Sequence, residues 1–398
     1  MKFSVGEKLL SEADARTKVW RNLMREMLKK YKITEYDFFL VAMILITNIF
    51  GILAVTSSFP TLKTPVIGGS IISFLLMIFL SLVDYTFLLK FNWLFYIANL
   101  VLLALIFTPM GTTINGARRW LEIGIKFQPS EAAKIILILF FAQFIMKYKD
   151  KVKDIRFIFV CFALLGAPIL LIIGQPDLST CIMIFVTFAC MLFVAGMDWR
   201  LVAIALTVAV PLVLFVIGDA VNGWGIVFGK ILKVYQGERI LAWLHPEDFT
   251  TDKAYQTLHS LMAIGSGGIR GKGYNTDDVT VLNAGFISEP QSDFVFAVIG
   301  EEFGFIGGCA VIFLILIIAV RCLMISFRAK DKAGQLLAAG MGAWVGFQGF
   351  INISVVTGLF PNTGLPLPFI SAGTSAILSM YAGMGIVLNV RLQSNKYI

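Results

Sequence analysis

Apolar residues occupy most of this chain in blocks of similar length, separated by shorter polar segments. An α-helix rises about 1.5 Å per residue, so roughly 20 apolar residues cross the hydrocarbon core of a membrane. The blocks predict ten transmembrane helices, at residues 38–57, 66–83, 92–109, 129–146, 156–173, 179–196, 201–218, 294–320, 334–356 and 370–389. We therefore expect an all-α fold, a polytopic integral membrane protein with about ten transmembrane helices.

The composition agrees with a membrane protein and argues against several other classes. Of the 398 residues, 58% are hydrophobic and 15% are charged, whereas about 25% are charged in an ordinary globular domain. No basic patch is interleaved with aromatic residues, so we expect no nucleic-acid partner. The five cysteines fall in or at the ends of apolar blocks and suggest neither a disulfide framework nor a metal site. The two histidines, His245 and His259, give no zinc-binding pattern.

Basic residues are distributed unevenly between the two sides of the predicted membrane. If the N-terminus is cytoplasmic, the inside segments together with Arg156 contain 22 of the 33 Lys and Arg residues. This asymmetry follows the positive-inside rule and predicts that both termini are cytoplasmic. We expect a cytoplasmic segment without a cleavable signal peptide at 1–35 and a cytoplasmic tail at 393–398. The membrane domain then spans 36–392, with a large extracytoplasmic loop at 219–293 between spans seven and eight.

Two outside segments are longer than the other connections, and long loops in compact proteins are commonly functional. Residues 110–128 form a polar, glycine-rich loop. In the longer loop, apolar residues recur at helical spacing between Trp224 and Trp243. This pattern predicts either an interfacial helix lying on the outer leaflet, in contact with membrane lipids, or a soluble helix that caps the bundle. In the ninth span, Gly342, Gly346 and Gly349 predict close packing against another helix.

Polar residues gather at four outward-facing places at the ends of the predicted spans. They are the NGARRW segment at 115–120 with Gln128–Glu131 and Lys134, the turn at 175–177, the segment around Asp293, and Gly358–Ser375. Glu131 and Lys134 are three residues apart and would share one face of a helix. The prolines and glycines of the last segment forbid a regular helix, and irregular backbone at membrane depth requires burial in protein or a wet cavity. We therefore expect a single outward-facing site.

Three acids lie at or within the eighth apolar run. Asp293 is at its edge, and Glu301 and Glu302 are inside it. An ionisable side chain within a span commonly costs about 2.5–3.5 kcal/mol, so its default interpretation is functional. The alternative is that these acids merely line a helix bundle or a broken helix. On a continuous helix Glu301 would lie about 80° from Asp293 and Glu302 about 180°, which places Glu301 nearer the site.

Five ordered motifs in the chain resemble those of the SEDS proteins RodA, FtsW and SpoVE. They are NGARRW at 115–120, QPSE at 128–131 with a following Lys, QPDLST at 175–180, EPQSDFVFAVIGEEFGFIG at 289–307 and TGLPLPFIS at 363–371. The resemblance covers about residues 36–392 and implies a SEDS-type bundle. It also implies a peptidoglycan glycosyltransferase that polymerises lipid II into glycan strands outside the cytoplasmic membrane of a bacterium. Such enzymes serve elongation, division or sporulation, with a class B penicillin-binding protein as partner.

Carried over by position, the resemblance implies that Asp293 is the essential catalytic acid. The substrate-binding residues that it implies are Trp120, Arg118, Arg119, Glu131, Lys134, Gln175, Asp177, Glu301 and Ser371. Departures from the usual motifs are modest: Ser179 stands where Gly is usual, Ala372 where Tyr is usual and Thr374 where Gly is usual. These departures affect the details of substrate contact and leave Asp293 intact.

Polymerising lipid II requires the 4-hydroxyl of one sugar to attack the anomeric carbon of another and to displace a lipid diphosphate. The donor is α-linked and the product is β-linked, so one inverting displacement suffices, with one general base and cations for the leaving group. We predict Asp293 as the base and Arg118, Arg119 and Lys134 as the cations. A divalent cation, Mg or Mn, would find oxygen ligands in Glu301 and Asp177, although no metal motif is visible.

Two other functions remain open on these residues. A lipid II flippase would use the same buried charges as a polar path, but it would need them along the whole crossing, and here they crowd the outer half. A non-catalytic scaffold for partner proteins would not need Asp293 at all.

Overall fold

A computed structural model describes residues 35–114, 117–122, 126–227, 230, 234–246, 255–275 and 291–394. Within these ranges the chain is mostly helical and includes one small sheet. The helices are α1 Phe38–Ser58, α2 Lys63–Leu82, α3 Tyr85–Lys90, α4 Asn92–Leu105, α5 Pro129–Lys147, α6 Ile155–Gly174, α7 Leu178–Ala195, α8 Trp199–Asn222, α9 Val234–Leu244, α10 Tyr255–Gly267, α11 Val295–Phe327, α12 Lys332–Val356 and α13 Thr374–Gln393.

Each of the ten predicted spans coincides with a helix, and the all-α membrane fold is confirmed. In the described part of the chain, eight helices are long and apolar enough to cross a membrane. The other two predicted spans correspond to α4 and α8. The third span is shorter than predicted because α4 ends at Leu105, where Thr108 bonds the Leu105 carbonyl (2.6 Å) and the chain turns into a strand. The tenth span begins at Thr374 rather than at residue 370.

Aspartate side chains begin many of these helices. A carboxylate at the residue before a helix accepts one of the amide N–H groups that have no partner within the first turn. The Asp residues that cap helices in this way are Asp37, Asp84, Asp154, Asp177, Asp198 and Asp331. These six aspartates therefore have a local structural role, and Asp177 also contacts Arg119, Thr180 and Ser130.

Residues 110–128 fold into a small antiparallel sheet, whereas the sequence predicted only a loop. Strand β1 is Gly111–Ile114, β2 is Ala117–Glu122 and β3 is Lys126–Phe127. Trp120 lies opposite Thr112 in the β1–β2 register. The strands are polar and only two to six residues long, so no alternation of apolar and polar residues marked them in the sequence.

The most buried helices lie at the centre of the bundle. In an apolar stretch of 18 residues within α13, 83% of the residues are buried, against 28% in a stretch of the same length within Pro60–Leu82, which includes α2. Helix α12 packs closely on α11 through its glycines, as predicted. A Cβ atom added at Gly342 would lie 3.0 Å from the Cys322 side chain, and one at Gly349 would lie 2.7 Å from Ile315. The predicted close packing is therefore confirmed.

A continuous helix from Trp224 to Trp243 does not form. Residues 224–227 are non-helical, and the amides of Ile226 and Val227 donate to the Asp219 carboxylate at 2.8 and 3.0 Å. The described helix here is α9, which begins at Val234. The indole N–H of Trp243 donates to the Gly358 carbonyl at 3.0 Å, so α9 packs against the protein. These contacts favour the predicted cap over an interfacial helix.

Candidate functional site

Residues 358–373, here called the Pro/Gly segment, are the irregular chain between α12 and α13. Irregular backbone inside a membrane protein must satisfy its carbonyl groups within the protein. Side chains from several helices do so here. The donors are Trp243 to Gly358 O, Arg239 to Asn362 O, Ser179 to Thr363 O, Asn352 to Leu365 O, Gln348 to Pro366 O and Asn48 to Phe369 O. The segment is therefore the place where α1, α7, α9 and α12 meet.

Asp293 lies beside this segment, two residues before α11 begins. Its Oδ1 accepts from the Ser292 hydroxyl at 2.9 Å, and its backbone carbonyl accepts from Asn352 at 2.7 Å. A Cβ added at Gly364 would lie 3.3 Å from the Asp293 Oδ2 atom, so the carboxylate faces the backbone of the Pro/Gly segment. Because Asp293 is not helical, the predicted helical angle between it and the later acids does not apply.

Ser371 fixes the backbone that leads to Asp293. Its hydroxyl donates to the Ser292 carbonyl at 2.6 Å and accepts from the Leu367 amide at 2.7 Å. The Ala372 amide also donates to the Gln291 carbonyl at 2.9 Å. Ser371 is buried, and its contacts indicate that it holds two segments of the site together.

A cavity of about 750 Å³ is lined in part by the Pro/Gly segment. Most of its wall is apolar, from α7, α8, α9, α12 and the Pro/Gly segment: Leu178, Ile182, Leu212, Val213, Val216, Ile217, Ile240, Trp243, Ile351, Phe360 and Leu365. Its polar lining residues are Arg119, Arg239, Ser179, Asn362 and Thr363. Gly364, which faces Asp293, lies between two residues of the wall. The cavity thus combines a long apolar surface with two guanidinium groups, and its wall includes both neighbours of the glycine that faces Asp293.

Arg119 connects β2 to the turn between α6 and α7. Its guanidinium donates to the carbonyls of Gln175 (3.3 Å) and Pro176 and lies 3.8 Å from the Asp177 carboxylate. Asp177 is buried and accepts from the Thr180 hydroxyl at 2.9 Å and from Ser130 at 3.4 Å. These contacts hold Arg119 at the cavity wall, and Arg119 is one of the residues that the sequence analysis predicted as a substrate-binding cation.

Lys134 and Glu131 form a buried ion pair on α5. Their charged atoms are 2.8 Å apart, and each side chain is 3% exposed. The ammonium also donates to Gln348 Oε1 at 3.0 Å and lies 5.0 Å from the centre of the Trp344 ring. Gln348 in turn donates to the Pro366 carbonyl at 2.8 Å. Lys134 does not line the cavity, and its contacts connect α5 to α12 and to the Pro/Gly segment.

The remaining predicted substrate-binding residues have different surroundings. Arg118 donates to the carbonyls of Gly111 (3.1 Å) and Thr108 and so closes its own hairpin. Gln175 is buried and donates to the Leu103 carbonyl at 3.0 Å. Trp120 is half-buried on β2. The cavity therefore brings together Arg119 and Arg239, whereas the sequence predicted Arg118, Arg119 and Lys134 as the group of cations.

Arg239, Gln348 and Asn352 were not predicted. Gln348 and Asn352 are polar residues four apart within an apolar span, and that spacing is a usable signal because it places both on one helix face. Arg239 had no such signal, since it is one of several basic residues in an amphipathic stretch. Only the packing of α9 on the Pro/Gly segment brings it to the cavity.

Glu301 and Glu302 are buried in α11 and contact a segment that follows α10. Lys272 Nζ lies 2.6 Å from Glu301 Oε1, and the Ser266 hydroxyl donates to the same oxygen at 3.2 Å. Glu302 Oε1 accepts from the Ser57 hydroxyl and from the Asn275 amide at 3.4 Å. These partners of Glu301 and Glu302 thus lie in α1, in α10 and in the segment after α10, and none of these contacts is with the Pro/Gly segment.

A divalent cation held jointly by Glu301 and Asp177 does not fit this arrangement. Each carboxylate already has a cationic neighbour, Lys272 for Glu301 and Arg119 for Asp177. Among the residues that the structure describes, no three His, Cys, Asp or Glu side chains come together as a metal site.

Comparisons with known proteins agree over most of the chain. A family model for FtsW, RodA and SpoVE, described as "Cell cycle protein", matches residues 34–396. A probable peptidoglycan glycosyltransferase FtsW from a Geobacter species is 31% identical over 373 residues, which cover 90% of this chain and 97% of that protein. The peptidoglycan glycosyltransferase MrdB of Escherichia coli is 34% identical over 298 residues, 74% of this chain and 76% of that protein.

Solved structures share the fold. One, described as "Structural coordination of polymerization and crosslinking by a peptidoglycan synthase complex", has a TM-score of 0.73 and 26% identity and covers 91% of this chain and 99% of its own. The crystal structure of the rod shape determining protein RodA of Thermus thermophilus has a TM-score of 0.64 and 25% identity. That alignment covers 91% of this chain and 98% of the other.

Proposed function

Because this chain belongs to the FtsW, RodA and SpoVE family, we propose that it is a peptidoglycan glycosyltransferase that polymerises lipid II on the outer face of a bacterial cytoplasmic membrane. The relatives named above carry that activity in their names. The observation that carries the proposal in this chain is the placement of Asp293 against Gly364, in the segment that walls the apolar cavity.

The cavity has the chemistry of an amphiphile with an anionic head. A polyprenyl chain is apolar and flexible, and it matches the wall built from α7, α8 and α12. A diphosphate needs hydrogen-bond donors with positive charge, which Arg119 and Arg239 supply. The sugar attached to the diphosphate would then lie near the Pro/Gly segment and the Asp293 carboxylate. The site is thus suited to a lipid-linked sugar donor.

Asp293 is proposed as the general base of a single inverting displacement. Its carboxylate takes the proton of the acceptor's 4-hydroxyl as that oxygen forms a bond to the anomeric carbon of the donor. The bond between the anomeric carbon and the diphosphate oxygen breaks at the same time, and its electron pair leaves with the diphosphate. Arg119 and Arg239 stabilise the negative charge that develops there. The glycan strand remains as the product.

The diphosphate role predicts different kinetics for two kinds of cation. Arg119→Gln or Arg239→Gln should raise the KM for lipid II about tenfold, because each removes a charge-assisted hydrogen bond. Lys63→Gln is the control, since Lys63 is an exposed cation away from the cavity. The measurement is the steady-state rate of lipid II polymerisation as a function of lipid II concentration, with purified variants that are equally monodisperse. Equal effects at all three positions would mean that these charges act only through general attraction to the membrane.

The membrane orientation rests on the distribution of Lys and Arg and is also a proposal. With both termini cytoplasmic, Asn275 lies outside and Lys151 inside, and both side chains are exposed. In a background without the native cysteines, a membrane-impermeant thiol reagent on whole cells should label Asn275→Cys and not Lys151→Cys. The reverse pattern would move Asp293 to the inner face and contradict the proposed reaction.

We also propose a class B penicillin-binding protein as the partner. The structural neighbour described as a peptidoglycan synthase complex couples polymerisation to crosslinking in its own system. A partner of this kind shifts this chain between an inactive and an active conformation only if it binds the two with different affinity. It should therefore raise the polymerisation rate without contributing a sugar-transfer site.

A further inference from the structure

Helix α11 is broken shortly after Asp293. Gly304 adopts φ 65° and ψ −162°, which interrupts the helix within the membrane domain. In an uninterrupted helix the amides of residues 305 and 306 would bond the carbonyls of residues 301 and 302. Unpaired backbone groups are costly at membrane depth, so a break of this kind needs replacement partners. The partners in this chain come from outside the helix.

The segment at 268–273, here called the clasp, replaces those bonds. It follows α10 directly and enters the break with two carbonyls and two amides. The four hydrogen bonds are Phe305 N to Gly268 O at 2.8 Å, Ile306 N to Ile269 O at 3.2 Å, Lys272 N to Glu301 O at 3.0 Å and Gly273 N to Glu302 O at 3.1 Å. The broken helix is therefore completed by a segment of the outer loop, group for group.

An ion pair between two described residues also joins the clasp to the helix. Lys272 Nζ lies 2.6 Å from Glu301 Oε1, and the side chains are 24% and 0% exposed. The Ser266 hydroxyl adds a bond of 3.2 Å to the same oxygen. The two partners are unequal, because Lys272 reaches solvent whereas Glu301 is enclosed. Loss of the lysine would leave a buried carboxylate without its cation, and loss of the acid would leave only a partly solvated ammonium.

The first part of α11 connects the clasp to Asp293. Residues 295–302 are all buried, and close-packed interiors have low compressibility and transmit strain. At its other end, Asn352 bonds the Asp293 carbonyl and Ser371 bonds the Ser292 carbonyl. The position of the carboxylate is therefore determined at two ends, by the Pro/Gly segment and by the clasp.

We propose that Lys272 and Glu301 are a positioning pair that sets the Asp293 carboxylate through the first part of α11. The proposal rests on the proposed function and assigns Glu301 no contact with substrate. It differs from the substrate-binding role that the family resemblance implied for Glu301. If Glu301 is a positioning acid, its removal in addition to Lys272 should restore activity. If Glu301 binds substrate, its removal in addition to Lys272 should lower activity further.

The test is a double-mutant cycle on the purified full chain. Lys272→Gln should lower the kcat of lipid II polymerisation at least tenfold with KM within about twofold, because the cavity is unchanged. Glu301→Gln should cost less, and the double variant should be several-fold more active than Lys272→Gln alone. A double variant no more active than Lys272→Gln, or an inactive Glu301→Gln with native folding, would overturn the positioning role.

Melting temperatures of the same variants separate this proposal from the proposed function. If the effects of Lys272→Gln and Glu301→Gln are non-additive in both kcat and melting temperature, the positioning role is supported. Suppose that the wild-type protein polymerises lipid II and the two substitutions are non-additive in melting temperature but additive in kcat. The pair is then purely structural, and the proposal is overturned. If the wild-type protein makes no glycan with or without a partner, the proposed function fails, and the positioning role fails with it, whatever the stability cycle shows.

Two glycines of the clasp give a matched second test. Gly268 and Gly271 both have positive φ, 56° and 81°, so alanine is strained at each. A Cβ at Gly268 meets nothing within 4 Å, whereas one at Gly271 collides with the backbone of Glu302 and Gly304. Gly271→Ala should therefore lower kcat several-fold more than Gly268→Ala. Equal kcat for the two variants would contradict control of Asp293 by the clasp.

Discussion

Asp293→Asn should reduce lipid II polymerisation at least about a hundredfold, which is the usual contribution of a general base. The change is nearly isosteric, and it removes the carboxylate that would accept the proton of the attacking hydroxyl. The Ser292 hydroxyl can still donate to the amide oxygen, and the backbone bonds from Asn352 and Ser371 are unaffected. Expression, monodispersity and melting temperature should therefore stay close to those of the wild-type protein.

Asp198→Asn is the matched control for this prediction. Asp198 is also a half-buried aspartate at the start of a span, where it accepts from the Arg200 amide at 3.0 Å. Asparagine is an equally good helix cap, so this variant should polymerise lipid II at the normal rate. Glycan made by a well-folded Asp293→Asn protein at more than a few per cent of the normal rate would remove Asp293 from the role of base.

Lys134→Met should produce the largest loss of stability. It leaves the Glu131 carboxylate buried without its cation, and breaking a buried pair in this way costs about 3–5 kcal/mol. The melting temperature of the purified protein should fall by roughly 5 °C. Gln348 would also lose a donor to its Oε1 atom, which weakens its support of the Pro/Gly segment.

The double variant Glu131→Gln, Lys134→Met distinguishes a structural pair from a substrate-binding cation. It removes both buried charges, so it should recover most of the lost melting temperature. If Lys134 instead binds the diphosphate, Lys134→Met would melt like the wild-type protein and have a raised KM for lipid II. The geometry predicts the first result, because Lys134 is enclosed by Glu131, Gln348 and Trp344.

The transmembrane helices were predictable because each depends on local composition alone. An apolar block long enough to cross a membrane must be helical, whatever its neighbours are. The ion pair of Glu131 and Lys134 was predictable for the same reason, since their spacing on one helix determines their contact. The helix boundaries near residues 105 and 374 were less accurate, because the chain turns there within sequence that is still largely apolar.

Features that depend on distant contacts were not predictable from one sequence. In the sequence Gly304 is one of several glycines in an apolar run, and nothing marks it as a helix break. The break depends on hydrogen bonds from the clasp, which is distant in sequence. The angle predicted between Asp293 and Glu301 assumed one continuous helix, and Asp293 lies before that helix begins. Arg239 reaches the cavity only because Trp243 and its own guanidinium bond carbonyls of the Pro/Gly segment. The filled break and the approach of Arg239 to the cavity both involve residues far apart in the chain.

Reconstituted lipid II polymerisation tests the central claim, that this chain carries the sugar-transfer site at Asp293. Three samples are compared: the chain alone, the chain with a class B penicillin-binding protein lacking transpeptidase activity, and the Asp293→Asn variant with that same partner. We expect glycan strands in the second sample at a higher rate than in the first, and none above background in the third. Glycan synthesis that persists in the third sample would place the chemistry elsewhere and leave this chain as a flippase or a scaffold.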